Sequence, residues 1–320
     1  MNVFFHLYKR TSDIAAAEAL TLTHGTKKHL LGNEILIANV KKPAFARLGL
    51  SHAAYEHLFT CARKDLAACI KRTNFQKHYK TNFKITAHHA TPAIERDIAQ
   101  QVAARIKNGK ANMQKPATWF HFFFINNKII AGKLLWQNAE DFESRKVHRW
   151  PAPHPTGTHP QLARAMINLT GIESGELLDP FCGAGGTLIE AGLMGLKPVG
   201  YDIEPELLVK AMKNLKGYGI RNYRIATNDA CELDGKIPYL VADLPYGRNT
   251  NPHGLEQLYR VFLHRLKNTL TKRAVLGFPS DIAHKPLLKE AKLKILAEYD
   301  WEINQGLTKK IVVVESHPKK

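Results

Sequence analysis

The strongest constraint on the fold is a regular alternation of short apolar runs and amphipathic stretches after residue 160. Each connection between parallel strands needs a crossover helix, so this alternation is typical of a doubly wound parallel sheet. The predicted strands share an apolar character and lie at residues 177–178, 198–201, 239–242 and 274–278. Two consecutive strands at residues 293–303 and 310–315 close the chain. The second half therefore predicts an α/β domain whose sheet ends in a hairpin.

The first half of the chain mixes strands and helices without this alternation. Thr91 and Pro92 occupy the N-cap and first helical positions of a predicted helix that ends just before Gly109. Apolar runs at residues 119–125 and 128–136 flank two asparagines, which predicts a β-hairpin. The pattern indicates an α+β arrangement in two small pieces.

A proline-rich segment separates the two halves. Four of the ten residues from 151 to 160 are proline. Proline is excluded from helix interiors and from central strands, so we expect residues 147–160 to form a semi-rigid linker.

The charge of the chain is strongly positive and unevenly distributed. Lysine and arginine total 46 against 28 acids, which gives +18, and residues 1–150 alone carry +14. A basic domain attached to a near-neutral one favours nucleic acid as the partner, although a lysine-rich surface kept for solubility gives the same count. The candidate RNA-binding residues are basic side chains near two aromatic residues or in the linker: Lys71, Arg72, Lys77, Lys80 and Arg149.

Several classes of protein are disfavoured by what the sequence lacks. No run reaches the roughly 18 uncharged apolar residues that a membrane span needs. The four cysteines show no CxxC spacing, and the histidines lack the spacing of metal ligands. We therefore predict a cytoplasmic protein without a metal site.

A glycine-rich loop, DPFCGAGGT, follows the first predicted strand of the α/β domain at residues 179–187. Gly183, Gly185 and Gly186 permit a tight turn and a close backbone approach to a ligand at a helix N-terminus. Asp202 ends the next strand, where a carboxylate can accept from both ribose hydroxyls. A glycine loop followed by an acid would serve a nicotinamide dinucleotide equally well.

Two further acids favour a different ligand. Asp179 at the loop entrance would repel a pyrophosphate, whereas it would attract the ammonium group of an amino acid. Asp229 follows the expected third strand, where it suits an adenine amino group. Ammonium, ribose and adenine together describe S-adenosylmethionine. The alternative is that these acids only cap helices, and Cys182 is predicted to pack within the turn.

A second motif, DLPYG at residues 243–247, follows the apolar strand that precedes it. Asp243 and the carbonyl of Leu244 can accept both hydrogens of an exocyclic amine, and Tyr246 can stack on the ring of an extruded base. The alternative is a strand-terminating turn.

These motifs resemble those of class I (Rossmann-like) methyltransferases that act on exocyclic amines of bases. The stretches PQLARAMIN at residues 160–168, LIEAGLMG at 188–195 and DLPYGR at 243–248 are similar to archaeal THUMP-domain tRNA (guanine-N2) methyltransferases of guanosine 10. The resemblance implies an α/β fold of four segments: a ferredoxin-like domain at residues 1–60, a THUMP RNA-binding domain at 61–146, the linker at 147–160 and the methyltransferase domain at 161–320.

The resemblance also implies partners and site residues. The partner is tRNA, together with a small zinc-binding activator protein in some relatives. Catalysis would involve Asp243, Leu244, Pro245 and Tyr246. The cofactor S-adenosylmethionine would be held by residues of the loop and the strand ends: Thr158, Asp179, Phe181, Cys182, Gly183, Gly185, Gly186, Asp202, Ile203, Asp229 and Ala230.

One departure leaves alternatives open. Guanosine-10 enzymes mostly carry proline where this chain has Leu244, and relatives that methylate guanosine 6 of tRNA carry Leu-Pro there. The modified position and double methylation therefore stay open. Methylation of adenine N6, a nicotinamide-dependent oxidoreductase and an inactive RNA-binding protein are the other hypotheses.

Overall fold

The computed structural model describes residues 1–155, 157–245, 252–304 and 307–316. The chain divides into two compact units, one of Met1–Ala46 with Ser51–Ala139 and one of Arg47–Leu50 with Glu140–Lys320. Within the described ranges, no helix is long and apolar enough to cross a membrane.

The N-terminal unit contains one seven-stranded sheet with the order β2-β3-β1-β4-β7-β6-β5. Its strands are β1 Asn2–Leu7, β2 Thr26–Leu31, β3 Ile35–Asn39, β4 Ser51–Ala62, β5 Phe83–His88, β6 Thr118–Ile125 and β7 Lys128–Gln137. Its helices are α1 Ser12–Thr23, α2 Leu66–Arg72 and α3 Pro92–Ala103. The predicted boundary at residue 60 falls inside β4, so the two predicted N-terminal domains share a strand, and their identities stay predictions.

The predicted hairpin and the predicted helix are both present in this unit. β6 and β7 pair in antiparallel fashion, and Asn126 between them has a φ of 52°, a conformation that asparagine tolerates. The hydroxyl of Thr91 accepts a hydrogen bond from the backbone N–H of Ile94 at the start of α3. The helix ends at Ala103 rather than next to Gly109, and Ile106 in the turns that follow is buried in the core, as its spacing predicted.

The C-terminal unit contains the predicted mainly parallel sheet, with the order β10-β9-β8-β11-β12-β14-β13. Its strands are β8 Glu176–Asp179, β9 Lys197–Asp202, β10 Arg224–Thr227, β11 Ile237–Asp243, β12 Leu270–Pro279, β13 Leu293–Asn304 and β14 Leu307–Ser316. Its helices are α4 Pro160–Leu169, α5 Gly186–Leu193, α6 Pro205–Gly217, α7 Pro252–Thr269 and α8 His284–Glu290. β13 and β14 form the predicted terminal hairpin, and β14 runs antiparallel to β12.

The order of the strands reverses between β8 and β11. β9 and β10 follow on one side of β8, while β12 lies on the far side of β11. In open α/β sheets, ligands bind outside the carboxyl ends of the strands at such a switch point. We therefore expect the ligand-binding residues at the carboxyl ends of β8 and β11.

The proline-rich segment is packed into the C-terminal unit and differs from the linker that we predicted. Trp150 is buried in a cluster with Cys182 and Leu188, and its indole N–H donates to the carbonyl of Arg145 at 2.7 Å. The backbone N–H of Ala152 donates to Oδ1 of Asn214 at 2.7 Å. The buried Trp150 thus anchors to the C-terminal unit a segment whose proline content predicted a semi-rigid linker.

A buried charge cluster lies beneath this segment. The carboxylate of Glu190 on α5 accepts from the Nε of Arg145 at 2.7 Å and from the Nε of Arg164 at 2.9 Å. Both guanidinium groups lie over the ring of Phe142. Removing one partner from such a buried set leaves an uncompensated charge, so residues 140–150 are an integral part of the unit.

Residues 47–50 belong to the C-terminal unit although both flanking segments belong to the other. Nη1 of Arg47 donates to the carbonyl of Ile172 at 2.9 Å, and its own carbonyl accepts from Nδ2 of Asn168 at 2.8 Å. The carbonyl of Gly49 accepts from the side chain of Gln161 at 3.2 Å. No sequence pattern predicted this insertion.

Candidate active site

Three carboxylates meet at the carboxyl edge of the C-terminal sheet. Asp179, Asp202 and Asp243 are the last residues of β8, β9 and β11. These strands are parallel neighbours, so their ends lie on one side of the sheet. The sequence predicted all three positions, and the fold brings them together at the switch point.

The glycine-rich loop joins β8 to α5 in the conformation that its glycines allow. Gly183 and Gly185 have φ values of 51° and 93°, which residues with a side chain rarely adopt. A Cβ on Gly186 would lie 3.1 Å from the ring of Trp150, so the third glycine permits close packing. Cys182 is buried in this turn, and burial raises the pKa of its thiol, which keeps it protonated.

Asp179 is a nearly buried acid, only 2% exposed. Its Oδ1 accepts from the backbone N–H of Phe181 at 3.1 Å. Burial raises its pKa to about 7, and the negative charges of Asp243 and Asp202 contribute. No lysine or arginine of the described ranges forms an ion pair with this carboxylate. A ligand that brings a cation would therefore relieve an unfavourable burial.

Asp202 holds the loop and retains acceptor capacity. Its Oδ2 accepts from the N–H of Gly183 at 2.9 Å and its Oδ1 from the N–H of Glu204 at 3.0 Å. Each carboxylate oxygen has a second lone pair, so both can still accept from hydroxyl groups. The neighbouring Ile203 is 65% exposed, which leaves an apolar side chain beside the loop for a ligand to cover.

Asp229 and Ala230 follow β10 at the same edge. Oδ1 of Asp229 accepts from the N–H of Cys231 at 2.8 Å and caps a short turn. Ala230 is buried, and Phe181 packs edge to face against Phe262 at 5.0 Å between ring centroids. Asp229 thus does cap a turn, as the structural alternative predicted, and its other carboxylate oxygen can accept a hydrogen bond from a ligand.

Asp243 is held by two residues from distant parts of the chain. The hydroxyl of Thr158 donates to its Oδ2 at 2.8 Å, and the Nζ of Lys309 lies 2.6 Å from Oδ1 and 2.5 Å from Oδ2. Thr158, which was predicted as a cofactor residue, contacts the candidate catalytic acid, and its role toward the cofactor stays a prediction. Lys309 was missed, because it lies 66 residues from Asp243 and its strand looked like an ordinary edge hairpin. The only available indication of a buried role was its position directly before a strongly apolar predicted strand.

The residues after Asp243 are fixed up to Pro245. The backbone N–H of Leu244 donates to the carbonyl of Gly277 at 3.0 Å, and the carbonyl of Pro245 accepts from the hydroxyl of the buried Tyr259. Tyr246, predicted to stack on a base, lies outside the described residues.

The candidate RNA-binding residues belong to different units. Lys71, Arg72, Lys77 and Lys80 are exposed on the N-terminal unit, and Arg149 is exposed on the C-terminal unit. The neighbouring Phe75 is fully buried in the core. It therefore packs the unit internally and is not available to stack on a base.

Two family models match the chain. The RMKL-like methyltransferase domain matches residues 148–309, which include Thr158, all three carboxylates and Lys309. A second model, described as DNA methylase, matches residues 28–213 and so ends before Asp243.

Curated relatives narrow the family. The tRNA (guanine(10)-N2)-dimethyltransferase of Methanothermobacter thermautotrophicus is 31% identical over 281 residues, covering 84% of this chain and 83% of the relative. The chain belongs to this methyltransferase family. The enzyme of the same name from Pyrococcus abyssi is 28% identical over 311 residues, with 88% and 89% covered. The crystal structure of TrmN from Thermus thermophilus has the same fold, with a TM-score of 0.52 at 17% identity over 99% of this chain and 100% of that one.

Proposed function

We propose that this protein transfers a methyl group from S-adenosylmethionine to the N2 amine of guanosine 10 in tRNA. The observation that carries the proposal is the position of Asp243: it ends β11 at the switch point, beside a loop and acids suited to S-adenosylmethionine. Membership of the family favours guanosine 10 over guanosine 6, although Leu244 departs from the usual proline.

The acids at the sheet edge fit the proposed cofactor. Asp179, buried without a cationic partner in the described structure, would bind the ammonium group. Asp202 would accept from the ribose hydroxyls, and Asp229 with Ile203 would contact the adenine. When bound, S-adenosylmethionine supplies an electrophilic methyl group.

The chain's own residues would act mainly by positioning the amine. The N2 lone pair of guanine is delocalised into the ring, so holding the amine in line for transfer can contribute several kcal/mol. Asp243 and the carbonyl of Leu244 accept the two amine hydrogens, and these contacts strengthen as positive charge develops on N2. Asp243 then accepts the released proton, directly or through water.

The proposal assigns tRNA binding to the N-terminal half. Residues 1–139 carry 21 lysines and arginines against 7 acids, a net charge of +14. This charge supports a tRNA-binding role for the ferredoxin-like and THUMP domains that the sequence predicted. A cytoplasmic location stays a prediction, and no observation supports a zinc-binding activator.

Methylation of adenine N6 is the second candidate, because the DNA methylase model matches residues 28–213. The Asp243 carboxylate and the Leu244 carbonyl would accept the hydrogens of an adenine amine in the same way. The match includes Asp179 and Asp202 but does not reach Asp243. It therefore supports the cofactor-binding residues and not the residues proposed to bind the base. A nicotinamide dinucleotide is disfavoured, because its pyrophosphate would meet three carboxylates at this edge.

The test of the proposed function is the identity of the methylated nucleoside. Transcripts of one tRNA with guanosine 10 or guanosine 6 replaced by adenosine are incubated with the protein and S-adenosylmethionine, digested and analysed by mass spectrometry. We expect N2-methylated guanosine from the wild-type and position-6 transcripts and none from the position-10 transcript. The reverse pattern would assign guanosine 6, and N6-methyladenosine would assign the second candidate. The mass also distinguishes one methyl group from two.

The buried Asp179 makes the affinity for S-adenosylmethionine depend on pH. Below its pKa of about 7 the side chain is protonated and cannot pair with an ammonium group. The ammonium of the ligand stays charged up to about pH 7.7. We therefore expect the Kd measured by calorimetry to rise about tenfold for each pH unit below 7. In Asp179→Asn the Kd should be higher at pH 7.5 and nearly flat between pH 5.5 and 7.5. If the Kd of the wild-type protein did not change with pH, Asp179 would not be the residue that binds the ammonium group.

A further inference from the structure

Lys309 is a buried lysine that contacts the candidate catalytic acid. It lies on β14, opposite Pro279 of β12, and its side chain is 5% exposed against 13% for Asp243. Its ammonium group lies within 2.6 Å of both carboxylate oxygens. The carboxylate is thus the more accessible member of the pair, and the lysine supports it from the interior.

The neighbouring strand leaves room for this pair. Gly277 of β12 lies opposite Asp243 in the parallel register. A Cβ at Gly277 would lie 3.1 Å from Oδ1 of Asp243 and 3.1 Å from Cδ of Lys309. The ion pair therefore occupies the space that a side chain at position 277 would take.

The donors are distributed unequally over the carboxylate. Oδ2 of Asp243 accepts hydrogen bonds from both Thr158 and Lys309. Among the described residues, Oδ1 accepts a hydrogen bond from Lys309 alone. An ionised carboxylate has about four lone-pair sites. These contacts fix the rotation of the group and leave Oδ1 with acceptor capacity for an entering amine.

We propose that Lys309 is a positioning residue for methyl transfer, which holds the Asp243 carboxylate in one orientation and presents its Oδ1 to the amine of the base. This inference rests on the proposed function, because it requires an amine at Asp243. A positive charge here opposes the charge that develops on the amine nitrogen, so stabilising the transition state directly is not its role. What it supplies is a counter-charge and a fixed orientation for a carboxylate that is largely removed from water.

The experiment compares Lys309→Met and Lys309→Arg with a matched control on the same strand. Lys310→Met removes the adjacent lysine, which alternates to the other face of the sheet and pairs with Asp300 at 2.5 Å. The assay counts total tritium transferred from labelled S-adenosylmethionine into tRNA, whichever nucleoside receives it. Calorimetry with S-adenosylmethionine checks in each variant that the C-terminal unit is folded.

We expect Lys309→Met to lower kcat at least about 30-fold while the Kd for S-adenosylmethionine and the KM for tRNA change less than about threefold. Lys309→Arg, which retains the charge, should recover kcat to within about fivefold of wild type, and Lys310→Met should match wild type. In an Asp243→Asn background, Lys309→Met should have little further effect, because the two residues act as one unit.

Three results would overturn the proposal. The first is a kcat for Lys309→Met within about threefold of wild type. The second is loss of S-adenosylmethionine binding in both Lys309 variants, which would assign the lysine to stability alone. The third is a decrease in kcat on adding Lys309→Met to Asp243→Asn that is as large as the decrease in the wild-type background. Methylation of adenine in place of guanine would contradict the proposed function but leave the dependence on Lys309 measurable in the same assay.

Discussion

Asp243→Asn is expected to lower kcat for methyl transfer by about 10²–10³-fold, with the affinities for S-adenosylmethionine and tRNA within a few fold of wild type. Asparagine keeps the volume and one acceptor oxygen, but it lacks the negative charge that stabilises the developing cation on N2. It also cannot take up the released proton. Single-turnover measurements with saturating enzyme would isolate this step from binding and product release.

The choice of asparagine follows from the buried ion pair. Alanine would remove both acceptor oxygens from Lys309 and Thr158, and removing one member of a buried pair can cost about 3–5 kcal/mol of stability, whereas asparagine retains one acceptor oxygen in nearly the same volume. A loss of activity in the alanine variant could then come from unfolding as well as from the missing catalytic group. Asp281→Asn makes the same chemical change at an exposed carboxylate and serves as the control. Retention of more than about a tenth of the wild-type kcat in Asp243→Asn would remove Asp243 from the catalytic role.

Residues 140–320 produced alone should bind S-adenosylmethionine and lose tRNA affinity by on the order of 10²-fold or more. The fragment carries only +4, whereas residues 1–139 carry +14. It begins at Glu140, because Arg145 and Trp150 are integral to the unit. It lacks Arg47–Leu50 of the same unit, so binding of S-adenosylmethionine also serves as the check that the fragment is folded. Filter binding with labelled tRNA, at several salt concentrations, measures the difference.

The complementary fragment provides the control. Residues 1–139 alone should bind tRNA with an affinity that falls steeply with salt, because each neutralised phosphate releases counterions. The fragment of residues 140–320 should show a much shallower salt dependence. Equal methylation of tRNA by residues 140–320 and by the full chain would contradict this division between binding and chemistry.

Local patterns predicted the C-terminal sheet and the acids at its edge. The glycines of the loop, the alternation of elements and the acids at strand ends are each encoded within about ten residues, so a single sequence suffices to place Asp179, Asp202 and Asp243. The terminal hairpin of β13 and β14 was also recognisable, since its two apolar runs adjoin each other.

The partners of Asp243 could not be predicted in the same way. Lys309 reaches the acid only because β14 runs antiparallel beside β12, and Thr158 reaches it from a segment that its prolines marked as a linker. Both contacts depend on register and packing between segments far apart in sequence. The burial of Trp150 is a tertiary effect of the same kind, and proline content alone argued against it.

The insertion of Arg47–Leu50 into the C-terminal unit has an evolutionary consequence. A gene fusion that exchanged the N-terminal unit at one crossover, near residue 139, would also replace Arg47–Leu50, of which Arg47 contacts Asn168 and Ile172. The incoming partner would have to supply an equivalent segment between two of its own strands. A single crossover at this point would therefore remove contacts from the C-terminal unit unless the donor carried the same insertion, and we expect the two halves to be inherited together.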